Sequence, residues 1–209
     1  MTRKAIDIFS DWALHGKDDG MQKNHWNAVA NMLKTSTKDL SEFYSFIDAG
    51  CGNGWAVREM LKNRLCEHAI GIDGAKEMIQ KAKNIDPNGE YVLSDLMKWK
   101  PEGLVDIVHS MEVIYYFSNP KKLILHMKNK WLKPGGSMIM GLDFYKENFA
   151  CHTWPKDLNT EMTLFSIKQW VELLKNCGLC DVKSYQTNST DSFPGTLVLH
   201  ATKLKNQVK

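Results

Sequence analysis

The sequence predicts an α/β fold of three layers, in which a seven-stranded mixed sheet lies between helices beneath an N-terminal helical cap. Short apolar or alternating runs recur seven times along the 209 residues. Segments with room for a helix separate the first five runs, which is the alternation typical of a mostly parallel sheet. Only "NSTDSFPG" joins the last two runs, so we expect them to pair as an antiparallel C-terminal hairpin.

The elements follow in chain order. Residues 1–42 are expected to form the helical cap, in which Trp26, Val29, Ala30 and Leu33 share one helical face. Residues 43–209 are expected to form the core, and the whole chain, 1–209, to be a single domain. The expected strands are 43–50, 69–74, 90–95, 105–111, 137–143, 180–187 and 196–203.

Two helices of the core have clear start signals. Ser118 or Asn119 can cap the first, with Pro120 in its first turn. Ser166 and Gln169 have capping-box spacing at the start of the second. Gly178 is expected to end that second helix.

Composition limits the classes of function. A net charge of +3 is too small to indicate a nucleic-acid partner without a clustered basic patch. No apolar run approaches the roughly 18 residues that a membrane helix needs, so no membrane association is expected. The odd number of cysteines, five, predicts reduced thiols and a cytoplasmic location. Neither the Cys177/Cys180 pair nor any other spacing predicts a metal site, and the oligomeric state stays open.

A glycine-rich stretch, "DAGCGNG" at residues 48–54, follows the first expected strand. It lacks the Lys-Ser/Thr of a phosphate-binding P-loop and the third glycine of a dinucleotide fingerprint. The carboxylate of Asp48 would repel a pyrophosphate and suit an ammonium group. Asp73, at the end of the next strand, is placed to accept hydrogen bonds from ribose hydroxyls. Together these features indicate an adenosine ligand that carries an amino acid, S-adenosylmethionine.

Five ordered blocks extend this indication: "FIDAGCGNG", "GIDGAKEMI", "VLSDLMKW", "VDIVHSMEVIYYF" and "WLKPGGSMIMG". In this order and spacing, over roughly residues 45 to 142, they resemble the motifs of the class I S-adenosylmethionine-dependent methyltransferases, of the type 11/25 kind. The resemblance implies a Rossmann-like core, the cofactor S-adenosylmethionine and the product S-adenosylhomocysteine.

The resemblance also assigns roles to individual residues. The methionine end of the cofactor would meet the glycine-rich stretch, the ribose would meet Asp73, the adenosine would meet residues after the second and third strands, and the methyl-transfer position would lie at the end of the fourth. The implied cofactor residues are Asp48, Gly50, Cys51, Gly52, Asp73, Gly74, Met78, Ser94, Asp95, Leu96 and Met111, with Glu112 near the transferred methyl group.

Methyl transfer from a sulfonium needs mainly alignment and exclusion of water, and needs a base only when the nucleophile carries a proton that must leave. Specificity is expected from loops at the carboxyl ends of the strands. The expected acceptor wall contains Tyr115, Tyr116, Tyr145 and Trp154, with His152 as first and His25 as second candidate for a catalytic base beside Glu112.

The preferred interpretation is methyl transfer by in-line displacement to an oxygen or nitrogen of a small organic molecule. A tRNA or RNA methyltransferase is one alternative, and it would need a basic rim around the cleft. A non-catalytic S-adenosylmethionine-binding subunit is another, and it would need a sealed or absent acceptor cavity. The lack of clustered ligand spacing argues against a magnesium-dependent catechol type.

Overall fold

The computed structural model describes residues 2–205. The helices are α1 Ala5–Leu14, α2 Met21–Thr37, α3 Trp55–Met60, α4 Lys76–Ile85, α5 Pro120–Lys130, α6 Trp154–Asp157 and α7 Ile167–Asn176. The strands are β1 Tyr44–Ala49, β2 Cys66–Asp73, β3 Glu90–Leu93, β4 Val105–Met111, β5 Leu132–Leu142, β6 Leu179–Thr187 and β7 Thr196–Lys203. Two short 3₁₀ turns cover Ile114–Tyr116 and Phe149–Cys151.

The seven strands form one sheet in the order β3-β2-β1-β4-β5-β7-β6. The pairs among β1 to β5 are parallel, whereas β7 is antiparallel to both β5 and β6. This arrangement confirms the mixed sheet with its antiparallel C-terminal pair. The strand order reverses between β1 and β4, and in open sheets of this kind ligands bind outside the carboxyl ends of the strands at such a point.

Helices cover both faces of the sheet, and strand residues alternate between them. In β1, Phe46 packs in the core beneath α2, α3 and α4, whereas Ile47 and Ala49 pack in the core beneath α5 and α7. The larger core contains the fully buried Trp131 and Trp170. The alternation fixes the orientation of Asp48, which therefore lies on the same face as Phe46.

The predicted helix ends are confirmed. The side chain of Asn119 accepts a hydrogen bond from Lys122 N at the start of α5. Ser166 and Gln169 form a reciprocal capping box at the start of α7. Gly178 follows α7 with φ of 70°, a conformation that glycine adopts at little steric cost.

The N-terminal helices differ in detail from the predicted face. In α2, Val29 and Leu33 are buried as expected, but Trp26 is 37% exposed and its ring lies 6.2 Å from that of Trp55. The turn between α1 and α2 is held by the buried Asp18, whose carboxylate accepts hydrogen bonds from Asn53 and Lys81. No helix within residues 2–205 combines the length and apolarity needed to cross a membrane.

Candidate active site at the carboxyl ends of the strands

A cavity of about 990 Å³ opens where the strands of the parallel part of the sheet end, and residues of α1 cover one side of it. It brings together most of the residues expected to bind cofactor or acceptor. Those that line it are His25, Gly50, Gly52, Asp73, Gly74, Met78, Ser94, Asp95, Leu96, Met111, Glu112, Tyr115, Tyr116 and Trp154.

The glycine-rich loop after β1 forms part of the cavity floor. Gly50 and Gly52 have φ of 78° and 52°, a region that side chains with a Cβ rarely occupy. A Cβ on Gly50 would also lie 2.2 Å from Cγ2 of Val113. The loop thus brings backbone atoms to the cavity surface, which fits a ligand that the main chain approaches closely.

Asp73 lies at the end of β2, beside this loop. Its Oδ2 accepts a hydrogen bond from Gly52 N at 2.9 Å and its Oδ1 accepts one from Ala75 N at 2.7 Å. Burial raises the pKa of Asp73 above its ordinary value, and the hydrogen bonds from these backbone donors only partly oppose that rise. Because each carboxylate oxygen has further lone pairs, the fixed side chain can accept ribose hydroxyls as well.

Asp48 and Cys51 border a smaller pocket of about 40 Å³ next to the main cavity. Asp48 is buried, and its Oδ1 lies 2.7 Å from Nδ1 of His109 on the neighbouring strand. Within the described part of the chain, the buried Nε2 of His109 has no hydrogen-bond partner. The carboxylate is therefore paired with an imidazole, a contact that sequence reasoning missed although "VDIVHSM" places a polar histidine within an apolar strand.

A cluster of ionisable side chains lies at the ends of β4 and β5. Glu112 has a φ of 59°. Its Oε2 accepts a hydrogen bond from the hydroxyl of Tyr115 at 2.7 Å, and its Oε1 accepts one from the backbone N–H of Asp143 at 2.5 Å. Oδ2 of Asp143 lies 3.8 Å from Nδ1 of His25. Asp143 was not predicted as a site residue, although it is an acid at the end of the expected strand 137–143, the same signal that identified Asp73.

Burial dominates the electrostatics of this cluster. Burial, followed by the negative charge of Asp143, raises the pKa of Glu112 well above its ordinary value. Burial also raises the pKa of Asp143, although a hydrogen bond from the side chain of Thr196 and the charge of His25 oppose this rise. Burial lowers the pKa of His25, although Asp143 opposes this effect. A neutral His25 beside a carboxylate is able to accept a proton.

Aromatic rings form the remaining wall of the acceptor side. Phe9 of α1 packs edge-on against Tyr116 with ring centroids 5.5 Å apart, and Tyr116 lies 4.5 Å from Tyr115. Trp12 and Trp154 line the same cavity. Burial raises the pKa of Tyr116, so its hydroxyl stays protonated at neutral pH.

Two residues expected in the acceptor wall lie elsewhere. Tyr145 is fully buried against the C-terminal hairpin and donates a hydrogen bond to Gly195 O at 2.8 Å. His152 is exposed, with Nε2 3.0 Å from Lys146 O. The segment after β5 turns back through its 3₁₀ turn, so that among Tyr145, His152 and Trp154 only Trp154 lines the cavity.

Across residues 2–205, no group of three or more His, Cys, Asp or Glu side chains has an arrangement able to hold a metal ion.

Comparison with known proteins identifies a family model that matches most of the chain. A family model described as a methyltransferase domain matches residues 18–184. A malonyl-[acyl-carrier protein] O-methyltransferase of Halalkalibacterium halodurans is 27% identical over 57% of this chain and 46% of its own length. The chain thus spans about half the length of this curated relative.

Solved structures match over more of the chain. A Haloferax volcanii methyltransferase in complex with the Trm112 methyltransferase activator has a TM-score of 0.83 and 25% identity, covering 98% of this chain and 100% of that one. The N-methyltransferase NodS of Bradyrhizobium japonicum, in complex with S-adenosyl-L-homocysteine, has a TM-score of 0.67 and 17% identity, covering 84% and 85%. This second similarity concerns the fold.

Proposed function

The chain belongs to the methyltransferase-domain family, and from that premise we propose that it methylates a small organic molecule at oxygen or nitrogen with S-adenosylmethionine, by in-line displacement. The observation that carries the proposal is the continuity of one cavity. It extends from Asp73 and Leu96, on the expected cofactor side, to Glu112, Tyr116 and Trp154, on the expected acceptor side.

The residues of the chain fit this cofactor. Gly50 and Gly52 leave room for the methionine end, and Asp73 is held at the end of β2 where ribose hydroxyls would reach it. When bound, S-adenosylmethionine supplies a methyl group activated by a sulfonium. Met78 and Leu96 would border the adenosine, and the aromatic wall would exclude water from the acceptor side.

The acceptor-side cluster has a role when the nucleophile carries a proton. His25, whose pKa burial lowers, accepts that proton, and Asp143 stabilises the imidazolium that forms. His152 is not part of this proposal because it lies outside the cavity.

The charges around the cavity support a small acceptor over RNA. The lysines among its described lining residues are Lys4 and Lys76, both exposed, against carboxylates from five residues. A nucleic-acid site needs cations that neutralise phosphates. The cavity is open on its acceptor side, which supports a catalytic protein over a non-catalytic binding subunit.

The five free thiols support the expected cytoplasmic location.

A methyl-transfer assay tests the proposal. The protein is mixed with radiolabelled S-adenosylmethionine and, in separate reactions, with the small-metabolite, RNA or protein fraction of source cells. Asp73→Ala, which we expect to bind the cofactor more weakly, serves as the matched control at a low cofactor concentration. We expect label in the small-metabolite fraction. Label in RNA alone, or in no fraction, would contradict the proposal.

A protein activator is a second candidate partner, because the Haloferax methyltransferase that matches this chain almost end to end was solved with Trm112. Mixing the purified chain with Haloferax Trm112 tests this idea. Co-elution on gel filtration with increased labelled product would support it, and separate elution would count against it.

A further inference from the structure

We propose that the methyl acceptor is an amine, which enters the cavity as an ammonium ion held between the carboxylates of Glu112 and Asp143 and the ring of Tyr116. This inference rests on the proposed function and narrows its acceptor from an oxygen or nitrogen nucleophile to a basic nitrogen. The groups that carry it all line the same cavity.

The first support is the sign of the charges. The described lining residues include Asp73, Asp95, Glu112, Asp143 and Asp157, of which Glu112 and Asp143 belong to the acceptor side. Lys4 and Lys76 are exposed, in α1's cap and the first turn of α4, and His25 is kept neutral by burial. Within residues 2–205 the lining therefore offers only exposed lysines, whose charge water screens, to neutralise a carboxylate or phosphate substrate. A bound ammonium ion would instead favour the ionised forms of Glu112 and Asp143, whose pKa values burial raises.

The second support is unused hydrogen-bonding capacity. The buried Oδ1 of Asp143 has no hydrogen-bond partner within the described residues. Glu112 accepts one hydrogen bond at each oxygen, which leaves further lone pairs. Burying a carboxylate with an oxygen left unpaired is costly, and an ammonium ion at the part of the Asp143 side chain that stays accessible, 13%, would offset its charge.

The third support is the aromatic wall. Tyr116 packs against both Phe9 and Tyr115, with ring centroids 5.5 Å and 4.5 Å apart. Trp12, Phe117 and Trp154 line the same cavity. The faces of aromatic rings attract ammonium ions, and several rings around one site are typical of sites that bind alkylated ammonium groups.

The transfer of the proton and of the methyl group needs only the ammonium ion, His25 and S-adenosylmethionine. The bound ammonium gives one proton to neutral His25, and the freed nitrogen lone pair forms the new nitrogen–carbon bond. The carbon–sulfur bond breaks as this bond forms, and its electron pair stays on sulfur, so that S-adenosylhomocysteine leaves neutral. Asp143, 3.8 Å from His25 Nδ1, stabilises the protonated imidazole.

The charge of the product tests the inference separately from the function. Labelled product of the small-metabolite assay, freed of residual S-adenosylmethionine, is passed over a cation exchanger at acidic pH. We expect the label to be retained, because a methylated amine remains basic. Labelled product that is neutral or anionic would overturn the amine inference and leave methyl transfer standing, whereas absence of any labelled product would overturn the proposed function itself.

Binding provides an independent readout. In protein saturated with S-adenosylhomocysteine, calorimetry compares 2-phenylethylamine with 2-phenylethanol and 3-phenylpropanoate. We expect the amine to bind about tenfold more tightly than either analogue, as cation–π and charge interactions together imply. Equal or weaker binding of the amine would overturn the inference.

Matched variants locate the effect. Asp143→Asn and Tyr116→Leu should each weaken the amine about three- to tenfold. Tyr116→Phe, which keeps the ring, and Glu172→Gln, an exposed position on α7, should not. Amine affinity unchanged in both Asp143→Asn and Tyr116→Leu would overturn the inference, provided that affinity for S-adenosylhomocysteine shows each variant to be folded.

Discussion

Replacing Asp73 with alanine tests the placement of the cofactor. The side chain lies at the end of β2, and both of its oxygens face backbone donors of the cofactor side, Gly52 N and Ala75 N. If ribose hydroxyls also donate to this carboxylate, the variant loses charge-assisted hydrogen bonds worth about 1.5–3 kcal/mol. The dissociation constant should then rise about 10- to 150-fold.

The variant should affect S-adenosylmethionine and S-adenosylhomocysteine alike, because the two molecules share the ribose. Calorimetric titration with each ligand measures this. Asp73→Asn is the matched control. It keeps the volume and one acceptor oxygen but loses the charge, so its loss of affinity should be smaller.

A second control separates binding from folding. Alanine at position 73 leaves the N–H groups of Gly52 and Ala75 without their acceptor, so circular dichroism melts must accompany the titrations. Unchanged affinity in a folded Asp73→Ala protein, or a loss confined to S-adenosylmethionine, would refute the assignment of Asp73 to the ribose.

Three further predictions concern other parts of the site. Gly50→Ala should lower the free energy of unfolding by at least about 1–2 kcal/mol, because φ is 78° and the new Cβ would meet Val113. Gly103→Ala is the control and should change the free energy of unfolding little, because no atom lies within 4 Å of a Cβ there. Equal urea midpoints of the two variants would contradict this prediction. His25→Ala should slow formation of the labelled product about 10²- to 10⁴-fold, while His152→Ala should not, and the reverse result would restore His152 as the base. Glu112→Gln should stabilise the protein at neutral pH, because burial raises the pKa of Glu112 above its ordinary 4.5. As pH rises past about 4.5, the unfolded chain releases a proton that the folded protein still binds. The stability of the wild type therefore falls relative to that of the variant. Thermal melts over a pH series measure that difference, and a gap independent of pH would contradict it.

Local patterns predicted most of the fold. The strands were found by their apolar runs, and α5 and α7 by capping signals that operate within a few residues. The order in which β1 to β5 alternate with segments able to form helices implies a parallel sheet, because a right-handed crossover is the common way to connect such strands. The face of α2 was predicted less well, since Trp26 shares the spacing of buried residues yet packs on Trp55 at the surface.

The site residues, too, were predictable only where a local pattern marks them. The glycine-rich loop follows β1 directly and Asp73 is the last residue of β2, so their positions at the carboxyl edge follow from chain order. The segment after β5 lacks the hydrophobic period of a helix, so the sequence could not indicate that Tyr145 packs on the hairpin while His152 faces solvent.

The sequence by itself determined the donor side of this protein: the strand order, the backbone-lined loop and the acid expected to meet the ribose. These features depend on neighbours close in the chain or on a topological rule. Only the tertiary structure decided the acceptor side, where His25 lies beside Asp143, and only it showed that Asp48 is paired with His109. Those pairs join residues 118 and 61 positions apart in the sequence, and such contacts are set by how helices and strands pack rather than by any local pattern.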